Sequence, residues 1–207
     1  YFINKLESIY HIDYVPSKED YMHLYIRTDE ISETIFLVKT LGYKRRFKIF
    51  DTVHNEGVPI QLLDKIDNLG TIIYCVSISD YDKPGYLDSS INYFCKVING
   101  PLANNIFILA LTKIDIFREK IKKYPLSKFL DDKYKPIFIN SSIDTYSSSI
   151  NCIKSLFLKQ WSRSNPDRHI YVSSVNATSI DNELCTDSIV RVIESDFLEK
   201  CLDIIGL

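Results

Sequence analysis

The chain has 207 residues, of which 45% are hydrophobic, and 25 Lys and Arg stand against 27 Asp and Glu. This is enough apolar material for one large domain with a full core. The net charge of −2 lacks the basic excess of a nucleic-acid binder, so we expect no nucleic-acid partner. No apolar run approaches the ~18 residues of a membrane-spanning helix. The five cysteines (Cys75, Cys95, Cys152, Cys185 and Cys201) are odd in number and form no C-x-x-C pair. Several lie inside apolar runs, which points to a reducing compartment rather than to disulfides or zinc. The chain begins at Tyr1 rather than Met. We therefore expect the true N-terminus, with any lipidation signal, to lie upstream.

In chain order, residues 1–10 place Phe2, Ile3, Leu6 and Ile9 as a helix end would, and the Pro16-containing stretch 11–17 reads as a linker. Residues 33–40 and 45–50 are β-rich segments around Leu41-Gly42-Tyr43, the spacing of a hairpin. Residues 71–79 (T-I-I-Y-C-V-S-I-S), 106–111 (I-F-I-L-A-L) and 169–174 read as further strands. Short continuous apolar runs of this kind suit a buried parallel sheet. Ile150, Ile153, Leu156, Phe157 and Trp161 recur at helical spacing within 144–161, as do Ile189, Ile193, Phe197 and Cys201 within 183–202. Strands alternating with helices indicate an α/β fold, a mostly parallel sheet with the hairpin as an antiparallel edge.

The run 106–111 ends abruptly in Thr112, Lys113, Ile114 and Asp115. Ligands of open α/β sheets bind just past the carboxyl ends of strands. A T/N-K-x-D tetrapeptide there is how GTPases read guanine: the Asp accepts from the ring N–H and the exocyclic amine, the Lys stem packs along the base, and the first residue ties neighbouring loops. The plainer alternative is a strand followed by a solvated charged loop. Asp51 ends the strand R-F-K-I-F-D, Thr28 lies in the loop before the hairpin, and Asn176-Ala177-Thr178 follows the last strand. Singly, such residues serve as turn formers, helix caps or surface. Their order along strands of suitable length is the order a GTPase needs.

Over almost its whole length the chain resembles the alpha subunits of heterotrimeric G proteins. Y-F-I-N-K-L-E-S-I and D-Y-V-P-S-K-E-D match the family's Y-x-L-N-x-L-x-R-I and D-Y-x-P-T-x-x-D. Ile31-Ser32-Glu33-Thr34 matches I-x-E-T, and residues 50–55 (F-D-T-V-H-N) align with F-D-V-G-G-Q. Residues 71–82 are similar to A-I-I-F-C-V-A-L-S-D-Y-D, and residues 112–126 (T-K-I-D-I-F-R-E-K-I-K-K-Y-P-L) to N-K-K-D-L-F-E-E-K-I-K-K-S-P-L. S-D-Y-D and F-x-E-K-I-K-K-x-P-L are not general GTPase features.

The resemblance implies a Ras-like GTPase fold that lacks its first strand and P-loop, because no G-x-x-x-x-G-K-[ST] occurs in the chain. It implies the end of a helical domain and a linker at 1–17 and an incomplete Ras-like domain at 18–207. A gap is expected between the strand ending at Asp51 and the strand from Thr71, so the chain reads as a fragment or truncated product. GTP or GDP and Mg2+ are the implied cofactors. Thr28 and Asp51 match the metal-linked residues. Nucleotide contacts are implied for Met22, His23, Leu24, Tyr25, Ile26, Arg27, Thr28, Asp51, Thr52, Val53, His54, Asn55, Thr112, Lys113, Ile114, Asp115 and Ala177, with Thr178 completing the Ala-Thr pair of the family's T-C-A-T loop. Implied partners are the beta-gamma dimer, a G protein-coupled receptor that takes the C-terminal helix, and an effector. Location at the inner face of the plasma membrane is implied through the missing N-terminus.

The departures concern hydrolysis. Tyr25 stands at the arginine-finger position, Asn55 replaces the water-positioning Gln, and His54 replaces a Gly whose amide must approach the γ-phosphate. An arginine finger is worth about 10³–10⁵ in rate. The family's basic helix after this motif becomes E-G-V-P-I-Q-L-L-D-K at 56–65, where Gly57 and Pro59 disfavour a helix. We therefore expect a guanine-nucleotide switch with impaired hydrolysis. The alternatives are a non-catalytic relative acting as an interaction protein and, less well matched, an unrelated α/β enzyme.

Overall fold

The computed structural model describes residues 1–24, 31–40, 43–52, 70–135, 145–178, 190–193 and 195. The chain divides into two compact units, residues 1–53 with 177–183 and residues 54–176 with 184–207.

The smaller unit opens with a 3-10 turn, Phe2–Lys5, which runs into α1 (Leu6–Ile9). The stretch before α2 (Lys18–His23) is irregular, as Pro16 requires. A capping box starts α2: Ser17 Oγ accepts the Asp20 amide, and the Asp20 carboxylate accepts the Ser17 amide. Asp20 does more than cap. One carboxylate oxygen accepts from Tyr1 Oη (2.7 Å) and Lys5 Nζ (2.7 Å). The other accepts from Tyr14 Oη (2.5 Å) and from Ser17 N (2.5 Å) and Oγ (2.7 Å). Five donors on one carboxylate thus tie the chain start, the linker and α2 together. Hydrogen bonds from Lys5, Tyr1 and Tyr14, in that order, hold the carboxyl far below its ordinary range, against the opposing effect of burial.

The hairpin follows, β1 (Ser32–Thr40) antiparallel to β2 (Tyr43–Asp51), with Ser32 opposite Asp51 and Phe36 opposite Phe47. The two Phe rings stack at 5.7 Å, a cross-strand aromatic pair that pins the register. Leu41 and Gly42 lie outside the described residues.

The larger unit holds a parallel sheet of three strands in the order β3 (Thr71–Ser77), β4 (Ile106–Thr112) and β5 (Tyr171–Val175). The expected α/β fold, with a parallel sheet and an antiparallel hairpin, is therefore present, the hairpin as a two-stranded sheet of its own.

Helix α3 (Tyr86–Ile98) links β3 to β4, and α4 (Ile114–Ile121) and α5 (Tyr146–Ser164) lie between β4 and β5. Neither α3 nor α4 is among the expected helices, although Leu87, Ile91 and Phe94 are spaced for a helix and all three are buried. Gly85 starts α3 with φ +70, a conformation that favours glycine. Helix α5 begins at a Thr145–Ser148 capping box. The last helix is described only at 190–193 and 195.

Strand alternation sorts the core. Tyr74 and Val76 of β3, Phe107, Leu109 and Leu111 of β4, and Val172 of β5 face α3 and α5. Phe94 and Phe157 meet there edge to face at 5.4 Å. On the opposite face Ile108 and Ala110 are buried, whereas Ile73 and Cys75 are open. At the amino ends of the strands, Arg168 donates to the carbonyls of Ala103 and Asn105, and Asn105 Nδ2 donates to Gly70 O (3.0 Å). Trp161 Nε1 closes this knot by donating to Arg168 O (2.9 Å).

One strand is shorter than expected. The run 71–79 extends only to Ser77. The Ser77 amide turns to the hydroxyl of Tyr86 (3.1 Å), and Ile78–Asp80 form a 3-10 turn with Ile78 and Ser79 buried.

The Asp20 clasp makes a pH-dependent prediction. Because the folded carboxyl titrates below the unfolded one, its contribution is complete above about pH 4 and is lost as pH falls further. Thermal melts of the Asp20→Asn variant should lie below those of the unaltered chain by a constant margin between pH 5 and 7. That margin should shrink below about pH 4; a margin independent of pH would contradict the clasp.

Candidate functional site

At the carboxyl end of β4 the chain places Thr112, Lys113 and Asp115 in succession. Thr112 is the last residue of the strand, opposite Ser77 and Val175. Its Oγ1 donates to Val76 O of β3 (3.2 Å), so it ties two strand ends together. Lys113 follows as the N-cap of α4, with φ 57 and ψ 42. A single residue therefore turns the chain from strand into helix, and a left-handed conformation makes so short a turn. It is the one non-glycine residue with positive φ among those described. An L-residue there carries a cost of roughly 1–2 kcal/mol. Strain of this kind gathers at ligand sites and switches.

The turn leaves Asp115 in the first helical turn, exposed, with no hydrogen-bond or ion-pair partner among the described residues. Its carboxylate is acceptor-only and sits where the helix dipole favours negative charge. Ile114 packs against the core, and Phe117 is fully buried one turn on, its amide donating to Lys113 O (3.0 Å). Lys113 Nζ lies 3.8 Å from an Asp80 carboxylate oxygen, and Lys83 reaches the other oxygen at 2.8 Å. Partial burial opposes ionisation of Asp80, but the hydrogen bonds from Lys83 and Ser77 and the charge of Lys113 prevail and lower its pKa.

Thr112, Lys113, Ile114 and Asp115 are thus brought together by one strand end. The remaining sequence-predicted residues that can be described belong to the smaller unit. Met22 and His23 end α2 and Leu24 is its C-cap. His23 is engaged in structure: its Nδ1 pairs with Glu19 O (2.9 Å), and its ring stacks on Tyr1 at 3.9 Å. Asp51 is the last residue of β2, Thr52 follows it, and Ala177 and Thr178 form a turn. Tyr25, Ile26, Arg27, Thr28, Val53, His54 and Asn55 lie outside the described residues. A metal held by Thr28 and Asp51 would therefore rest partly on a residue that is not described.

Residues the sequence reading missed are Asp80, Asp82 and Lys120. Lys120 Nζ donates to Asp82 (2.5 Å) and to Ser79 O (2.9 Å). The signal was present, since S-D-Y-D and the Lys of F-R-E-K are among the matches that single out one family. A surface hollow beside Asp115 runs along Ile116, Glu119, Lys120, Lys123 and Tyr124. It excludes Thr112 and Lys113, so it is not where a base touching both Lys113 and Asp115 would lie.

The backbone of Lys113 can be tested apart from its side chain. Lys113→Gly and Lys113→Ala both lose the amine, but only Ala keeps a Cβ at positive φ. The Gly variant should be more stable than the Ala variant by about 1 kcal/mol in urea denaturation. Equal stabilities would contradict the left-handed turn.

Comparison with known proteins agrees with this arrangement. A family model described as "G-protein alpha subunit" matches residues 1–193. The chain is similar to the guanine nucleotide-binding protein alpha-16 subunit of Caenorhabditis briggsae, with 26% identity over 210 aligned positions that cover 97% of this chain and 56% of that protein. It thus spans about half the length of that relative. With a match that runs from its first residue into its last helix, and with T-K-x-D set at the carboxyl end of a parallel strand, the chain belongs to the G-protein alpha subunit family.

Proposed function

We propose that this chain supplies the base-reading half of a guanine-nucleotide switch. The observation that carries this reading is Asp115, an exposed carboxylate without a donor among the described residues, placed just past the carboxyl end of β4 by a strained turn. Guanine presents two donors side by side, the ring N–H and the exocyclic amine. A carboxylate can accept both, and adenine offers no such pair. The stem of Lys113 would lie along the base, and Ala177 would leave room for the guanine carbonyl to reach a backbone N–H. Thr28 and Asp51 would hold Mg2+ near the phosphates, where the ion neutralises charge.

As part of a longer protein the chain would act at the inner face of the plasma membrane. There it would pair with a beta-gamma dimer, receive a signal from a receptor through its last helix and pass it to an effector. A second reading, a non-catalytic relative acting as an interaction protein, is favoured by Tyr25, His54 and Asn55. The first reading requires guanine nucleotide to bind, whereas the second has it bind poorly or not at all.

Two experiments separate them. Asp115→Asn exchanges an acceptor for a donor toward the base. Hydrogen bonds to a charged group are worth about 1.5–3 kcal/mol each, so GDP binding should weaken by about 10²-fold or more. Xanthosine diphosphate, which presents a carbonyl in place of the amine, should gain. Unchanged GDP affinity in a fluorescence titration would overturn the base assignment. In single-turnover assays the full-length protein should hydrolyse GTP well below the roughly 10⁻² s⁻¹ of alpha subunits that carry the finger in cis. Tyr25→Arg combined with Asn55→Gln should raise that rate at least about 10²-fold. A wild-type rate already at the family level would refute impaired hydrolysis.

A further inference from the structure

The S-D-Y-D turn after β3 and helix α4 after β4 meet in register. Asp80 faces Lys113 at 3.8 Å. Tyr81 packs edge to face on Phe117 with ring centres 5.2 Å apart. Asp82 pairs with Lys120 at 2.5 Å. On the helix side these residues stand at the N-cap, one turn on and two turns on, the i, i+4, i+7 spacing that lines one face. On the turn side they are three consecutive residues.

The middle rung is dry: Tyr81 is 1% and Phe117 0% exposed. The Tyr81 hydroxyl donates to Tyr124 O beyond the helix end. The outer rungs are charged and half-open, with Lys113 53% and Asp80 18% exposed. Lys120 adds a bond to Ser79 O at 2.9 Å, which fastens the start of the turn as well as its end.

We propose that Asp80 and Asp82 are positioning residues for base reading: with Tyr81 they form a three-rung clamp that holds α4 against β3 and sets the direction of Lys113. This rests on the functional reading above, since it assigns Lys113 to the base. The physical need is specific. A left-handed Lys has a long flexible stem, and the turn fixes its backbone but not its amine. Asp80 supplies an electrostatic end-point for that stem on the neighbouring strand end. Lys83, on the other oxygen of the same carboxylate, keeps Asp80 itself in place (2.8 Å). Asp82 works at a distance from the base, by fixing the helix whose first turn carries Asp115. Neither carboxylate needs to touch the nucleotide.

The test uses the full-length protein with a fluorescent mant-GDP probe, and hydrogen exchange of the peptide spanning 112–118 in its absence. Asp80→Asn should speed exchange in that peptide and leave the peptide of residues 86–98 unchanged. It should also accelerate mant-GDP release about three- to five-fold, the range of a half-exposed ion pair, and Asp80→Glu should restore most of it. In a Lys113→Met background the Asp80→Asn effect on release should vanish, which a merely structural role would not produce. Asp82→Asn should act on release in both backgrounds, because it works through the helix. Release at the wild-type rate in Asp80→Asn, or an acceleration that persists with Met at 113, would overturn the positioning role. If the wild-type protein takes up no mant-GDP, the functional reading fails and this proposal fails with it. If it does, and Asp115→Asn abolishes guanine preference while Asp80→Asn changes nothing, the clamp alone fails.

Discussion

Everything the larger unit offers to a ligand depends on a one-residue connection between β4 and α4. Thr112 still belongs to the strand and Ile114 already to the helix, so Lys113 alone must redirect the chain. A right-handed residue could not do this in one step, and the left-handed conformation at φ 57 does. The cost is met by what surrounds it. Phe117 is sunk into the core, its amide bonds back to Lys113 O, and Lys120 ties the far side of the helix to Asp82. The strained residue is thereby over-determined by its neighbours, the condition under which strain persists. Among the described residues Asp115 is left without a partner, at the end of a rigid construction.

The rest of the unit makes that construction stiff. The strand β4 is buried from Ile106 to Leu111, which only a central strand covered on both faces allows. One face takes an aromatic cluster from α3 and α5, with Tyr74, Phe94 and Phe157 in mutual contact. At the opposite end of the strands, Arg168 and Asn105 hold the incoming loops by their backbone carbonyls. A sheet pinned at its amino ends and packed along its length presents its carboxyl ends in fixed positions. The smaller unit uses a different device. Its helices are too short to bury much, and none of their residues is buried except Asp20. Among the described residues there, a single carboxylate with five donors takes the place of a buried core.

The hairpin, the strand 106–111, helix α5 and the T-K-x-D residues were legible in the sequence because each has a local cause. Two β-rich segments spaced by a short Gly-containing link mark the hairpin, an unbroken apolar run marks the strand, and i, i+3, i+4 spacing marks the helix. Three features were not legible. Ser77–Asp80 reads as continued strand because Ile78 is apolar, and only the tertiary bond from Ser77 to Tyr86 ends the ladder. Helix α3 carries a helical spacing in Leu87, Ile91 and Phe94, but its Tyr, Ser and Asn residues serve strands and turns equally well and obscure it. The left-handed Lys113 has no composition signal, since glycine is the usual marker of positive φ. It follows from the packing of strand and helix on either side. The pairing of Asp80 with Lys113 joins residues 33 apart that only the parallel pairing of β3 and β4 brings level.

The central claim is that one carboxylate reads two donors of guanine. It is tested most directly by comparing GDP with inosine diphosphate, which lacks only the exocyclic amine, in equilibrium binding to the full-length protein. The account predicts that inosine diphosphate binds about ten-fold or more weakly, as expected for loss of one hydrogen bond to a charged group, and that ADP does not compete. Equal affinities for GDP and inosine diphosphate would contradict it.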